Sequence, residues 1–274
     1  MMDINTPERW KARLKMPGPQ SHKYTRGHTL VIGGGIYSTG AAKLSAIAAL
    51  RAGSGLVSIA CDAASVPVYA TTLLSVMTKP LIHENDLEHL LGDERISAVL
   101  IGPGNGVSQA TRERTLRILA HKKPCVIDAD ALSAFAAQPH ILFKAITSHA
   151  LLTPHEGEFS RLFPSLSGSA ELRASAAAAQ SNAVVVLKGH HTVIAAPDGR
   201  VCVNQNAPAW LATAGSGDVL AGIITGLLAQ GMDAYDAACA ATWMHGRAAA
   251  LFGPGLIAED IPGMLPAVWR ELVA

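Results

Sequence analysis

His28-Thr29-Leu30-Val31-Ile32-Gly33 is a short apolar run that ends in glycine, and a stretch with helical spacing, Gly40–Ala52, follows it closely. Such continuous apolar sequence is typical of a parallel strand, because helices cover both faces of a parallel sheet. Similar runs rich in valine and isoleucine recur at Leu56–Cys61, Ala98–Ile101, Pro124–Ile127, Ala150–Leu152 and Val184–Leu187. Helical spacing returns between them at Val107–His121 and Ala170–Gln180. The alternation predicts an α/β fold, with a central, mostly parallel sheet flanked by helices on both faces.

The later part of the chain has a different pattern. Thr192–Ala196 and Val201–Asn204 are separated by Pro197-Asp198-Gly199-Arg200, a turn sequence that joins antiparallel strands. We expect this late antiparallel pair to extend the sheet toward its edge. Three helices are predicted after it, at Gly217–Gln230, Asp233–Phe252 and Glu259–Val273.

Composition limits the class of protein. The 274 residues contain no linker-like tract, which predicts a single domain over 1–274, with residues 1–22 as an N-terminal extension. Only 16% of residues are charged and the formal net charge is +1, so electrostatics favour neither nucleic acid nor an anionic membrane as a partner. No secretory signal or run of transmembrane length is found. The four cysteines form no C-x-x-C pair, which argues against a zinc or redox motif and favours a reduced cytoplasm.

The stretch Thr213-Ala214-Gly215-Ser216-Gly217-Asp218-Val219-Leu220-Ala221-Gly222 is a glycine-rich turn that leads into an apolar helix. Small residues before a helix let its free N–H groups approach an anion, and the helix dipole favours phosphate there. A carboxylate in this place repels phosphate unless a substrate hydroxyl lies between the two, so Asp218 is a candidate general base. The alternative is that Asp218 only caps the helix.

Residues that follow the other predicted strands carry further candidates, because ligands bind beyond the carboxyl ends of parallel strands. Gly33–Ala42 and Gly102–Gly106 are glycine-rich and are either ligand loops or plain turns. Asp128 and Asp130 follow the run that ends at Ile127, where they contact water or metal, or Asp130 caps the next helix.

Two more segments have polar residues after a strand. In Thr153-Pro154-His155-Glu156-Gly157-Glu158, Thr153 and Glu156 match a capping box, whereas His155 either contacts a substrate or is a solvated loop residue. In Lys188-Gly189-His190-His191-Thr192, a lysine, backbone donors and a hydroxyl suit a nucleotide phosphate. Adjacent strand residues point to opposite faces, so we discount the two histidines as a metal pair.

The order of these motifs closely resembles that of the ADP-dependent NAD(P)H-hydrate dehydratases, members of the ribokinase-like superfamily. The resemblance extends from about residue 23 to the C-terminus, and the Thr-Pro-His-x-Gly-Glu element separates this family from its kinase relatives. The motifs that carry it are Val31-Ile32-Gly33-Gly34, Gly40-Ala41-Ala42, Arg51–Val57, Gly102-Pro103-Gly104, Asp128–Leu132, Thr153–Glu158, Lys188-Gly189 and Ala214–Gly222.

The resemblance implies a metabolite-repair lyase. Such an enzyme phosphorylates the ring hydroxyl of hydrated NADH or NADPH from ADP and then expels phosphate, leaving NAD(P)H, AMP and inorganic phosphate. It also implies roles for residues. Asp218 is the catalytic base; Ala41, Gly104, His155 and Asp218 contact the hydrated dinucleotide; Lys188, Gly189, His190, His191, Thr192, Gly215, Ser216 and Gly217 form the nucleotide site; Glu158 organises Mg²⁺.

The first loop departs from the family pattern, because Ile36-Tyr37-Ser38 stands where Gly-Met is usual. The resemblance further implies a homo-oligomer, since the family often assembles as tetramers, and an NAD(P)H-hydrate epimerase as functional partner, which we expect on a separate chain. The alternative function is an ATP-dependent kinase of the same fold that acts on a vitamin-precursor alcohol. A nucleotide-sensing module without activity is a third reading.

Overall fold

The computed structural model describes residues 3–83, 85–147 and 149–274, and within them nine strands form one sheet. The order across the sheet is β3-β2-β1-β4-β5-β6-β7-β8-β9. Pairing is parallel from β3 to β7 and antiparallel for β7 with β8 and β8 with β9. The strands are β1 His28–Ile32, β2 Leu56–Asp62, β3 Met77–Leu81, β4 Ala98–Ile101, β5 Cys125–Ile127, β6 Ala150–Leu152, β7 Val184–Leu187, β8 Thr192–Ala195 and β9 Val201–Asn204.

Helices cover both faces of the sheet, as predicted. Successive residues of β1 enter different cores: Val31 joins the core under α1, α9, α10 and α11, while Leu30 and Ile32 join the core under α3 to α8. The helices are α1 Thr39–Arg51, α2 Val66–Ala70, α3 Asp86–Gly92, α4 Gln109–Ala120, α5 Ala129–Ser133, α6 Pro139–Ala145, α7 Glu156–Leu162, α8 Ala170–Ser181, α9 Ser216–Ala229, α10 Ala234–Phe252 and α11 Asp260–Val273.

Helices α1 and α9 touch backbone to backbone. A Cβ atom placed on Gly222 would lie 2.3 Å from the Ser45 carbonyl oxygen, and one on Gly226 would lie 2.7 Å from that of Ala49. The Ser45 hydroxyl also donates to the carbonyl of Asp218 at 2.9 Å. The absence of side chains on these two glycines therefore sets the spacing of the two helices.

The predicted hairpin is present, and its strands lie at the end of the sheet. Ala196 N–H donates to the Arg200 carbonyl across the turn at 2.9 Å. The sequence pattern missed β3 at the opposite edge, because Lys79 and Pro80 interrupt its apolar run. Proline is tolerated there since an edge strand leaves one row of backbone groups unpaired.

The N-terminal extension packs onto the β9 edge. Ile4 forms a parallel bridge with Val203, and Asn5 donates from its side chain to Asn204 and to the carbonyl of Cys239. Trp10, only 1% exposed, donates to Asn5 and closes this corner. Among the described residues, no helix combines the length and apolar character needed to cross a membrane.

Candidate functional site

The site lies at the carboxyl ends of the parallel strands. The strand order reverses between β1 and β4, and such a switch point opens a crevice where ligands bind in α/β sheets. The segments that follow β1, β4, β5, β6 and β7 reach this edge, and α9 begins beside them. The structure therefore brings together most of the residues that the sequence motifs singled out.

The loops after β1 and β4 are in direct contact at the switch point. The Ser38 hydroxyl donates to the Gly104 carbonyl at 2.7 Å, and the Asn105 amide donates to the Ile32 carbonyl at 3.0 Å. Gly104 has φ +70°, and a Cβ atom on it would lie 3.5 Å from the Ala41 Cβ. Ala41 and Gly104, both predicted substrate contacts, thus lie side by side.

Helix α9 begins without a side-chain cap. Its N-cap is Gly215 in the left-handed region, at φ +88°, where a side chain would be strained and would meet Leu44. The Ser216 N–H donates to the Thr213 carbonyl at 3.4 Å, whereas Gly217 and Asp218 supply N–H groups in the first turn, and the Ser216 hydroxyl turns away to donate to the Leu211 carbonyl. The first turn of α9 therefore offers backbone donors to an anion, as the sequence predicted.

Lys188 points at this helix start. A Cβ atom on Gly217 would lie 3.4 Å from the Lys188 ammonium nitrogen, which is also 2.9 Å from Asp128 Oδ1. Burial alone lowers the pKa of Lys188, but the charges of Asp128, Glu158 and Asp218 outweigh it, so the pKa lies above its ordinary value. Lys188 is a cation at neutral pH, placed beside the free N–H groups of α9.

Asp218 stands in the first turn of α9 and is partly buried. Burial and, next, the negative charge of Asp128 raise its pKa to about 6, although the charge of Lys188 opposes the rise. A carboxylate with a pKa near 6 is ionised at neutral pH and binds a proton more tightly than an ordinary aspartate. This is the property that a general base needs.

A cavity of about 390 Å³ lies between the β7–β8 segment and α9. Its polar wall contains the predicted nucleotide residues Lys188, Gly189, His190, Thr192, Ser216 and Gly217. The lining also includes apolar residues, among them Pro208 and Leu211. A lining that combines a cationic lysine and backbone donors with apolar side chains suits a phosphorylated ligand with an apolar part.

His190 lines this cavity, whereas its neighbour His191 is exposed outside the wall. The two imidazole rings lie 4.4 Å apart, so the expectation that they point to opposite faces is wrong. Both residues lie in a bend between β7 and β8, where the alternation of a strand does not apply. Among the described residues, no group of three histidine, cysteine or acidic side chains could hold a metal ion.

The helix after β6 is capped differently from the prediction. His155, not Thr153, is the N-cap, and its Nδ1 accepts from the N–H groups of Gly157 and Glu158. Glu158 Oε2 in turn accepts from the His155 N–H at 2.9 Å, which completes the capping box. The Thr153–Glu156 pairing was wrong by two residues, because Thr153 still belongs to the buried strand exit, where its N–H donates to Ile127.

The predicted metal residue Glu158 is therefore already part of a helix cap. It is 5% exposed, and its Oε1 lies 3.5 Å from His155 Nε2. Its negative charge acts on both Lys188 and Asp218, which places it in the same charged group. Glu158 is a single carboxylate, and one of its oxygens already accepts from the His155 N–H, so it does not by itself form a cation site.

Sequence reasoning missed two residues of α10 that line the cavity, Thr242 and His245. His245 is 6% exposed, its Nε2 has no hydrogen-bond partner, and burial lowers its pKa to about 4. The signal available was a threonine and a histidine three residues apart, hence on one face, in a helix made largely of alanine.

Comparison with known proteins gives consistent results. The family model of the NAD(P)H-hydrate dehydratases matches residues 29–263. An ADP-dependent (S)-NAD(P)H-hydrate dehydratase of Neisseria meningitidis serogroup B is 36% identical over 272 residues, which covers 94% of this chain and 88% of the relative. A bifunctional NAD(P)H-hydrate repair enzyme of Moorella thermoacetica is also 36% identical, but the chain spans only 53% of its length.

The fold is shared with solved structures. An ADP/ATP-dependent NAD(P)H-hydrate dehydratase of Bacillus subtilis, co-crystallised with ATP and Mg²⁺, superposes with a TM-score of 0.87. The two sequences are 30% identical, and the match covers 99% of each chain. The ribokinase-like α/β fold expected from the motifs is confirmed.

Proposed function

The chain belongs to the NAD(P)H-hydrate dehydratase family, and from this premise we propose that it restores hydrated NADH and NADPH to NADH and NADPH with ADP. AMP and inorganic phosphate are the other products. The observation that carries the proposal is the convergence of a raised-pKa carboxylate, Asp218, and a cationic lysine, Lys188, on the uncapped start of α9. A base for the substrate hydroxyl, Asp218, and a binding group for the diphosphate, Lys188, thus lie together.

The reaction we propose has two steps. In the first, Asp218 takes the proton of the ring hydroxyl, and the resulting oxygen attacks the β-phosphorus of ADP while the bond to AMP breaks. In the second, phosphate leaves the ring carbon with the bonding electron pair, and a proton leaves the neighbouring carbon, which restores the ring double bond. Transfer of phosphate converts a poor leaving group, hydroxide, into a good one.

The two substrates approach from different sides of Asp218. We propose that hydrated dinucleotide occupies the switch-point crevice beside Ala41, Gly104 and His155. ADP occupies the cavity, with its diphosphate at Lys188 and at the N–H groups of Gly217 and its neighbours. Charge that develops on the transferred phosphoryl group is stabilised by these fixed donors, which need no rearrangement during the reaction.

Mg²⁺ is part of the proposal as an ion that arrives with the diphosphate. Mg²⁺ keeps several waters and binds through one or two carboxylates and the substrate phosphates, so a single protein carboxylate fits this mode. Glu158 is the group we propose to hold one of these waters. Bound Mg²⁺ would neutralise phosphate charge. We expect Glu158→Gln to raise the Mg²⁺ concentration needed for half-maximal rate, with Glu156→Gln, on the same helix turn, as the control.

The direct test is to incubate the protein with hydrated NADH and either ADP, ATP or no nucleotide. Return of the nicotinamide absorbance with release of phosphate supports the dehydratase. The competing kinase function predicts instead a stable phosphorylated product from an alcohol and ATP, with no absorbance recovered from the hydrate. The same assay with hydrated NADPH ranks the two substrates.

The compartment, the oligomeric state and the functional partner of the protein are also proposals. We propose a cytoplasmic homotetramer that works beside an NAD(P)H-hydrate epimerase, which would convert the other form of the hydrate into its substrate. The relative from Moorella thermoacetica is named a bifunctional NAD(P)H-hydrate repair enzyme and is about twice as long as the matched region, which supports a second repair activity beside this one. Sedimentation of the purified protein tests the tetramer, and addition of an epimerase to a mixture of both hydrate forms should raise the yield of NADH.

A further inference from the structure

Asp128 is a buried carboxylate that the proposed reaction does not use. It follows β5, is 1% exposed, and sits at the N-cap position of α5 without capping that helix through its side chain. The Asp128 side chain therefore does not serve as a helix cap, although an aspartate at this position could. Its carboxylate instead makes the ion pair with Lys188.

The backbone around Asp128 is costly to maintain. Ala129, the next residue, has φ +47°, in the left-handed region that residues with a side chain rarely adopt. A Cβ atom on Gly102 would lie 1.7 Å from the Asp128 carbonyl oxygen, so only glycine fits opposite it. Strained backbone persists where the surrounding structure holds a group in a required place, and here it holds Asp128 toward Lys188.

The ion pair connects two segments that the sheet topology brings together. Lys188 follows β7, and its N–H donates to the Pro154 carbonyl at 2.9 Å. Its ammonium reaches across β6 to Asp128 after β5, and this reach ends beside Gly217. Without Asp128, the long side chain of Lys188 would have no fixed partner on that side.

We propose that Asp128 is a positioning residue that holds the Lys188 ammonium, charged and oriented, at the start of α9 where the diphosphate binds. This deepens the proposed function and rests on it. A lone buried ammonium tends to lose its proton or turn toward water, and a carboxylate partner prevents both. When ADP enters, a phosphate oxygen joins Asp128 as an acceptor, and Lys188 keeps one anchor while it gains the other.

The charged groups that face Lys188 come from several elements. Asp128 follows β5, Glu158 lies on α7 and Asp218 on α9, and all three act on the lysine. Asp130, on α5, acts on Asp218, but its Oδ2 is engaged by the Gly106 N–H at 2.8 Å. Asp128 is the one among them with a direct bond to the ammonium in the described residues. Asp130 is therefore the matched control for Asp128, because it lies on the same helix turn and carries the same charge but has a different hydrogen-bond partner.

The test is a double-mutant cycle of Asp128→Asn and Lys188→Met, measured by kcat with hydrated NADH and ADP. Each single change should lower kcat by about tenfold or more, because misplacement of a phosphate ligand by about 1 Å costs up to about a hundredfold. Measured at a pH well above the acid limb of Asp218, Asp128→Asn in the Lys188→Met background should have no further effect on kcat, since its remaining action is through Lys188. Asp130→Asn should multiply with Lys188→Met instead.

Thermal unfolding supplies an arm that does not depend on turnover. Lys188→Met leaves a buried carboxylate unpaired and should lower the Tm by about 10 °C. Addition of Asp128→Asn should recover most of that loss, whereas addition of Asp130→Asn should not. The double variant has no buried charge at the pair, so it provides a folded protein even if a single variant does not fold.

The outcomes separate this inference from the proposed function. Wild-type protein that does not convert the hydrate with ADP overturns the function, whatever the variants do. Wild-type activity together with independent, multiplying effects of Asp128→Asn and Lys188→Met overturns the positioning role. A pH profile gives a further readout: neutralising Asp128 should move the acid limb of kcat/KM to lower pH by about one unit, because it removes a negative charge that acts on Asp218.

Discussion

The N-termini of α7 and α9 face the same edge of the sheet, but only α7 is capped by side chains. At α7, His155 and Glu158 satisfy the first backbone N–H groups with their own side chains. At α9, Gly215 provides no capping side chain, and the N–H groups of Gly217 and Asp218 are left for a ligand. A helix start thus becomes an anion site when no side chain satisfies its backbone N–H groups. A capped start instead fixes the side chains that cap it.

The largest effect should come from Asp218. Asp218→Asn removes the base at the open helix start, and kcat should fall about 10²- to 10⁴-fold. The asparagine also removes a negative charge beside the phosphate site, so ADP should bind at least as well, as calorimetry can measure. Asp130→Asn is the control and should retain most activity. A fully active Asp218→Asn would show that α9 binds phosphate without supplying the base.

The open start of α9 can be closed. In Gly217→Val the new side chain would occupy the space beside the Lys188 ammonium, where even a Cβ comes within 3.4 Å. We expect the KM for ADP to rise about tenfold to a hundredfold, because a charge-assisted hydrogen bond contributes about 1.5–3 kcal/mol. Gly263→Val, in the first turn of α11 with open space around it, is the matched control and should leave the KM unchanged.

The pH dependence sharpens the contrast between the two starts. Asp218 must be ionised to accept a proton, and burial raises its pKa to about 6, so kcat/KM should be constant at neutral pH and fall as pH drops through about 6. The limb should be lost in Asp218→Asn, whose residual rate has no such base. A limb near pH 4 would mean that Asp218 is not desolvated as the structure indicates.

The smallest effect concerns the capped start of α7. His155→Ala should lower the free energy of unfolding by about 1 kcal/mol, the usual contribution of an N-cap. His155→Ser restores a cap and should recover most of this stability in urea titrations. If His155 also contacts the hydrate, both variants should raise the KM for the hydrate equally. A KM that follows stability would assign His155 to the cap alone.

Much of the fold could be predicted from the sequence, because buried parallel strands leave long apolar runs. The eight predicted strands match within one or two residues, and the three late helices match within one. The short edge strand β3 and the short helices α2, α3, α5 and α6 carry too few periodic positions to be seen. The helix cap was also harder to predict from the sequence. Which residue of Thr153–Glu158 becomes the N-cap depends on where β6 ends, and the end of β6 is set by its pairing with neighbouring strands.

The candidate site was predictable where residues adjacent in sequence act together, as in Gly215–Asp218. It was not predictable where contacts join distant segments. The pair of Asp128 and Lys188 spans 60 positions, and its geometry follows from the order of β5, β6 and β7. Thr242 and His245 reach the cavity because α10 packs behind α9, which no motif indicates.

The glycine contact between α1 and α9 sets the distance between the two proposed substrate sites. Ala41 lies on α1 and Asp218 on α9, and the two helices are in contact at Gly222, where no side chain separates them. Two backbones in contact therefore set the spacing of the two helices, and with it the proposed distance between the substrate hydroxyl and Asp218. A methyl group introduced at position 222, one helical turn beyond Asp218, would push α1 and α9 apart and so separate the proposed base from the proposed hydrate site.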